Sequence, residues 1–142
     1  MTDAYPPAAR PLRVLIVEPH PLVREQLRAL LAAEPGLVLV GECTGAEAAR
    51  RSVDGLAPDV VVVAVRLPDG SGLDLCRDLT RRPRAPRVLL TSAFDDAALR
   101  RSAREAGASG MVATPRATRI LVRTIREVTA GPDGPDLPGH PS

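Results

Sequence analysis

Short apolar runs alternate along this chain with stretches in which apolar residues recur every three or four positions. The runs at 13–17, 37–40, 59–64, 87–91 and 109–113 predict strands. The 59–64 run contains four consecutive valines, and unbroken apolar character of this kind fits a strand buried on both faces of a parallel sheet. Between the runs, helical spacing places Val23, Leu27, Leu30 and Leu31 on one face, then Leu75 and Leu79, then Leu99, Ala103 and Ala106, and finally Ile120, Leu121, Ile125 and Val128. Punctuation agrees with these elements. Pro21 opens the first helix at a tolerated position, and Pro35-Gly36 closes it. Thr44 with Glu47 and Ser71 with Asp74 have capping-box spacing. Asp95 and Asp96 favour a helix start through the macrodipole, Gly107 suits a helix end, and Thr114-Pro115 fits a cap followed by a first turn. Five strands alternating with five helices predict an α/β, doubly wound parallel sheet with right-handed crossovers. Such sheets place function just beyond the carboxyl ends of their strands. That directs attention to Glu18, Pro19, Ala64, Arg66, Thr91 and Thr114.

Composition narrows the class. A chain of 142 residues with 44% hydrophobic and 25% charged residues fits one globular domain, set at 12–130. Residues 1–11 read as a disordered lead and 131–142 as a Pro/Gly-rich tail or linker. No apolar run is long enough for a membrane span and the start has no signal-peptide core, so a cytoplasmic location without membrane contact is expected. Every Lys/Arg position is arginine, which excludes mechanisms that need an amine side chain. A net charge of +2 does not by itself argue for nucleic-acid binding. Cys43 and Cys76 fit neither a CxxC motif nor a disulfide framework and read as buried free thiols.

Four stretches, RVLIVEPHPLVREQLRALL at 13–31, PDVVVVAVRLPDGSGLDLCRDL at 58–79, RVLLTSAFDD at 87–96 and EAGASGMVATP at 105–115, resemble a response-regulator receiver domain of the NarL/FixJ type over residues 12–130. The resemblance implies a flavodoxin-like fold with strand order 2-1-3-4-5. It also implies a phosphorylation site: an acidic pair after the first strand that helps hold Mg²⁺, an acceptor aspartate ending the third, a Thr or Ser after the fourth and a lysine after the fifth. Matched position by position, the first acid is Glu18 but the second is Pro19, the acceptor is Ala64, the hydroxyl is Thr91 and the lysine position is Thr114. Met111 stands where an aromatic commonly reports the switch. A methyl group cannot form an acyl phosphate, and no lysine exists in the chain to stand in at the position of Thr114. These changes imply a degenerate pseudo-receiver. Relocation of the phosphoryl group to Asp69 would lack the surrounding electrostatics.

With no catalytic residue, metal site or cofactor indicated, the chain reads as a non-enzymatic signalling module. It would act in signal transduction or transcription regulation through a protein partner or as a homodimer. One alternative is a small-molecule sensor using a pocket walled by Ala64, Thr91, Met111 and Thr114. Another is the regulatory half of a helix-turn-helix transcription factor. Arg100, Arg101, Arg104, Arg116, Arg119, Arg123 and Arg126 face only Glu105 and Glu127 over residues 97–130. They offer either a solvated face or a docking surface for an acidic partner. Direct nucleic-acid binding is disfavoured because neither a recognition motif nor an aromatic platform accompanies this charge. Glu18 is expected to be a partly solvated carboxylate or to be neutralised by Arg66 or His20. The bond before Pro115 is a candidate cis peptide.

Overall fold

A computed structural model of the chain describes residues 10–113 and 118–130. The valine-rich run forms β3 (Val60–Ala64) at the centre of a five-stranded parallel sheet. β1 (Leu12–Val17) lies on one side of it, followed by β2 (Leu37–Cys43) at the edge. On the other side lie β6 (Arg87–Ser92) and β7 (Gly110–Ala113). A two-stranded antiparallel hairpin, β4 (Arg66–Leu67) with β5 (Gly70–Ser71), follows β3 outside the sheet. Counting only sheet strands, the order is the expected 2-1-3-4-5, a flavodoxin-like fold.

Successive strand residues point to opposite faces, and both faces are covered. Val14, Ile16, Val60, Val62, Leu89 and Val112 face α1 (Pro21–Ala32) and α5 (Thr118–Thr129), packing with Leu27, Leu31, Leu121 and Ile125. Leu15, Val17, Val61, Val63, Val88 and Leu90 face α2 (Ala46–Leu56), α3 (Gly72–Thr80) and α4 (Ala97–Glu105), packing with Val53, Leu75 and Leu79. Fully burying one such side chain contributes roughly 1.5–3 kcal/mol. A core this extensive keeps the strand ends in place whatever residues occupy them.

Local signals behave unevenly. Ser71 caps α3, its Oγ accepting from the Leu73 amide at 3.0 Å, and Asp96 caps α4 through the Ala98 and Leu99 amides. The Thr44/Glu47 pattern does not form a capping box. The N-cap is Gly45, and the first amides of α2 are satisfied by Asp69, which reaches across from the β4–β5 turn to Ala46 N at 2.7 Å and Glu47 N at 3.1 Å. Gly107 has φ +93°, the left-handed region expected after α4, and a Cβ there would sit 2.6 Å from Thr80 Oγ1. β2 extends three residues beyond the expected 37–40, carried by pairing to β1 past an irregularity at Val14/Leu15. Ile120 is not on the buried face of α5. It is 49% exposed, and Val122 takes the buried position. Both thiols are free and buried, as expected. Burial pushes the Cys76 thiol up to about 12. Thr114, Pro115 and Arg116, with the lead at 1–9 and the tail at 131–142, lie outside the described residues. So does the candidate cis bond.

Candidate functional site

The carboxyl ends of β1, β3 and β6 converge on a cavity of about 550 Å³. Parallel pairing sets its floor. Ala64, the last residue of β3, lies opposite Thr91 on β6, and Glu18 follows β1. Ala64 is 9% exposed, Thr91 is buried, and Val23 and Leu99 supply apolar wall. Gly72 is fixed by close approach to the same place: a Cβ there would lie 2.2 Å from the Ala64 carbonyl oxygen. A larger groove of about 1040 Å³ lies at the other end of the strands, around Arg82–Arg87 and Arg10, and contains none of the strand carboxyl ends.

Glu18 departs from both expectations. It is only 5% exposed, and neither Arg66 nor His20 forms an ion pair with it among the described residues. Its Oε2 accepts from the backbone amide of His20 at 2.9 Å. Arg24, the nearest guanidinium in its bonding, donates to the Glu18 carbonyl oxygen at 2.8 Å and pairs with Glu42 at 3.4 Å. Arg66 and His20 are exposed on the cavity lining. Of the four residues expected to wall the pocket, Ala64 and Thr91 do so, Met111 packs into the core beneath α4, and Thr114 lies outside the described residues.

Asp96 on the cavity lining and Asp69 in the β4–β5 turn are both engaged as caps. Asp96 lines the cavity while capping α4. Asp69 is turned to the start of α2, and the hydrogen bonds from the Ala46 and Glu47 amides hold its carboxyl below the usual range. Mg²⁺ takes a near-octahedral shell of oxygens. Glu18, with one oxygen already bonded, Pro19 without a side-chain oxygen and Ala64 without a carboxylate do not fit that requirement. Among the described residues, no group of three or more His, Cys, Asp or Glu side chains is placed to hold a metal ion. No helix among them is long and apolar enough to cross a membrane.

The arginines of α4 and α5 do not form one continuous free face. Arg100 Nε pairs with Asp95 at 2.5 Å, and its Nη1 donates to the Met111 carbonyl at 3.3 Å. Arg126 bridges to the end of α1, donating to Glu34 at 3.2 Å and to the Pro35 carbonyl at 2.7 Å. Arg101, Arg104 and Arg123 are exposed. Arg116 and the side chain of Arg119 lie outside the described residues. Sequence spacing missed the two features that shape the site most, the burial of Glu18 without an ion pair among the described residues and the cross-loop cap by Asp69. Both depend on contacts between distant segments.

The sequence profile described as the response regulator receiver domain matches residues 14–126. The chain is 42% identical over 121 residues to the "DNA-binding transcriptional activator DevR/DosR" of Mycobacterium tuberculosis, covering 84% of this chain and 55% of that protein. It is 39% identical over 112 residues to "Protein-glutamate methylesterase/protein-glutamine glutaminase 5" of Anaeromyxobacter dehalogenans, covering 77% of this chain and 30% of that protein. A two-component response regulator of the LuxR family from Aurantimonas sp. SI85-9A1 superposes with a TM-score of 0.77 at 34% identity, covering 82% of this chain and 83% of that one. The chain thus spans only part of these curated relatives. The methylesterase relative also corrects the expectation of a non-enzymatic protein: a segment similar to this chain makes up 30% of a protein named as an enzyme, so this segment does not assign the protein to a non-enzyme class.

Proposed function

The chain belongs to the response regulator receiver domain family, and on that premise we propose that it is a pseudo-receiver, relaying signals through protein contacts without accepting a phosphoryl group. The observation that carries this reading is Ala64 at the end of β3, where the resemblance places the acceptor carboxylate. Three further features support it. Pro19 removes the second acid, the chain contains no lysine, and Asp96 on the lining and Asp69 in the β4–β5 turn are engaged as helix caps. Phosphoryl transfer needs a carboxylate nucleophile and cations to offset developing charge. Among the described residues lining this cavity, Asp96 is engaged in capping α4 and Arg66 is exposed at the rim, and neither stands where the resemblance places the acceptor or the lysine.

The preserved receiver frame supports a regulatory role, and similarity to a DNA-binding activator favours the regulatory half of a transcription factor, with 12–130 as its folded unit. The exposed Arg101, Arg104 and Arg123 suit an acidic partner surface or a second copy of the chain. Titrating Mg²⁺ with beryllofluoride, a mimic of the phosphoryl group, tests the central point. The amide resonances of Val65, Thr91 and Ser92 are expected to stay in place. Saturable shifts at these residues would refute the reading.

A further inference from the structure

We propose that the cavity at the carboxyl end of the sheet binds a small organic cation, one ammonium group on an apolar body, with Glu18 as its anionic anchor. The proposal rests on the pseudo-receiver reading, since a bound phosphoryl group would fill the same space. Glu18 is 95% buried, and only one of its carboxylate oxygens accepts a hydrogen bond from a described residue. Among the described residues no cationic side chain pairs with this carboxylate, and a carboxylate so buried is held at a cost that a cationic ligand offsets and a neutral one does not. Arg24 is occupied by the Glu18 carbonyl and by Glu42, so the chain does not supply that cation from α1.

The rest of the cavity suits the body of such a ligand. Val23, Ala64 and Leu99 line it, and its volume of about 550 Å³ lies in the ordinary range for small-molecule sites. Phe94, the chain's single phenylalanine, is 67% exposed on the same lining, and its amide donates to Ser92 Oγ at 3.0 Å. An aromatic ring and a carboxylate lining one cavity suit an organic ammonium, which is attracted by both charge and the ring face. The other charged groups on the lining define the class further. Asp96 adds negative character while capping α4, whereas His20 and Arg66 stand exposed at the rim. Positive charge at the rim disfavours a polyamine, and the two carboxylates disfavour an anion. Ala64 leaves room where a larger side chain would project.

Amide chemical shifts of the full chain, titrated with 2-phenylethylamine, 2-phenylethanol, 3-phenylpropionate and MgCl₂, test this. The amine is expected to shift Thr91, Phe94 and Leu99 saturably, with the alcohol and the carboxylate at least about tenfold weaker. Glu18→Gln is expected to weaken amine binding about tenfold, and Phe94→Ala, at an exposed position, to weaken it while the fold is retained. Equal binding of amine and alcohol, unchanged affinity in Glu18→Gln, or no saturable shift by the amine would overturn the assignment. Displacement of the amine by sub-millimolar Mg²⁺ would overturn it in favour of a metal site. A parallel sample treated with acetyl phosphate separates the two readings. A gain of one phosphoryl group removes the premise, whereas an unchanged mass without amine binding removes the ligand class alone.

Discussion

Ala64→Asp reinstates a carboxylate at the end of β3, and the structure says what it would meet. The position is 9% exposed and shares its cavity with Glu18, itself 5% exposed, while no lysine exists in the chain to offset a second charge. A buried charged group without its partners costs more than the 1–3 kcal/mol of a neutral one, and the open side of the cavity relieves part of this, so about 2 kcal/mol is expected at neutral pH. Like charge and burial both raise the pKa of the introduced carboxyl in the folded state. The sign follows by linkage. Between the unfolded value near 4 and the raised folded value the native state binds more protons, so stability falls as pH rises through that window. Urea unfolding of the variant and the wild type between pH 4 and pH 8 reads this directly. With a urea dependence of about 1–3 kcal/mol per molar, the variant's midpoint should drop by roughly 1 M at pH 7.5 and approach the wild type's near pH 4. Millimolar Mg²⁺ should not restore it, because Pro19 contributes no ligand. A variant as stable as the wild type at pH 7.5, or a gap that widens toward low pH, would show that the cavity tolerates a second carboxylate and refute this account of its electrostatics.

Three further outcomes follow from the same geometry. Gly72→Ala forces a methyl against the Ala64 carbonyl and should cost about 1–3 kcal/mol in urea unfolding, with shifts in the Ala64 and Val65 amides. Asp69→Ala removes the cross-loop cap of α2. Because backbone hydrogen bonds lower the Asp69 pKa, its contribution is present above the unfolded value near 4 and is lost as pH falls through the folded value. The gap in urea midpoint between variant and wild type should therefore close below about pH 4. Cys76, pushed up to about 12 by burial, and Cys43, buried beside Ser52, should resist a thiol reagent at pH 8 in the native state and react on unfolding, as followed by absorbance.

The features legible in the sequence were those set by local periodicity. The unbroken apolar runs of β3 and its neighbours, spaced by helical stretches, pointed to the parallel sheet, and Ser71 and Asp96 announced their helix starts because a cap acts within three residues. The misread features were decided across space. Gly41 and Glu42 do not look like strand residues, yet pairing with Leu15 and Ile16 keeps them in β2. Thr44 carries the right side chain for a cap, but Asp69 from 25 residues further along the chain satisfies α2 instead. Arg126 has the spacing of a solvated face, yet the end of α1 lies within its reach. At the site, the identities of Pro19, Ala64 and Thr91 could be read directly. The burial of Glu18 and its bond from the His20 amide could not, since both show only when the surrounding backbone and side chains have been placed.

The most direct test of the central claim is the intact mass of the chain after incubation with acetyl phosphate and Mg²⁺, alongside a receiver that carries its acceptor aspartate. An unchanged mass for this chain, with the companion receiver gaining one phosphoryl group, is the predicted result. A stoichiometric phosphoryl gain by this chain, at Asp69, Asp96 or any other side chain, would contradict it.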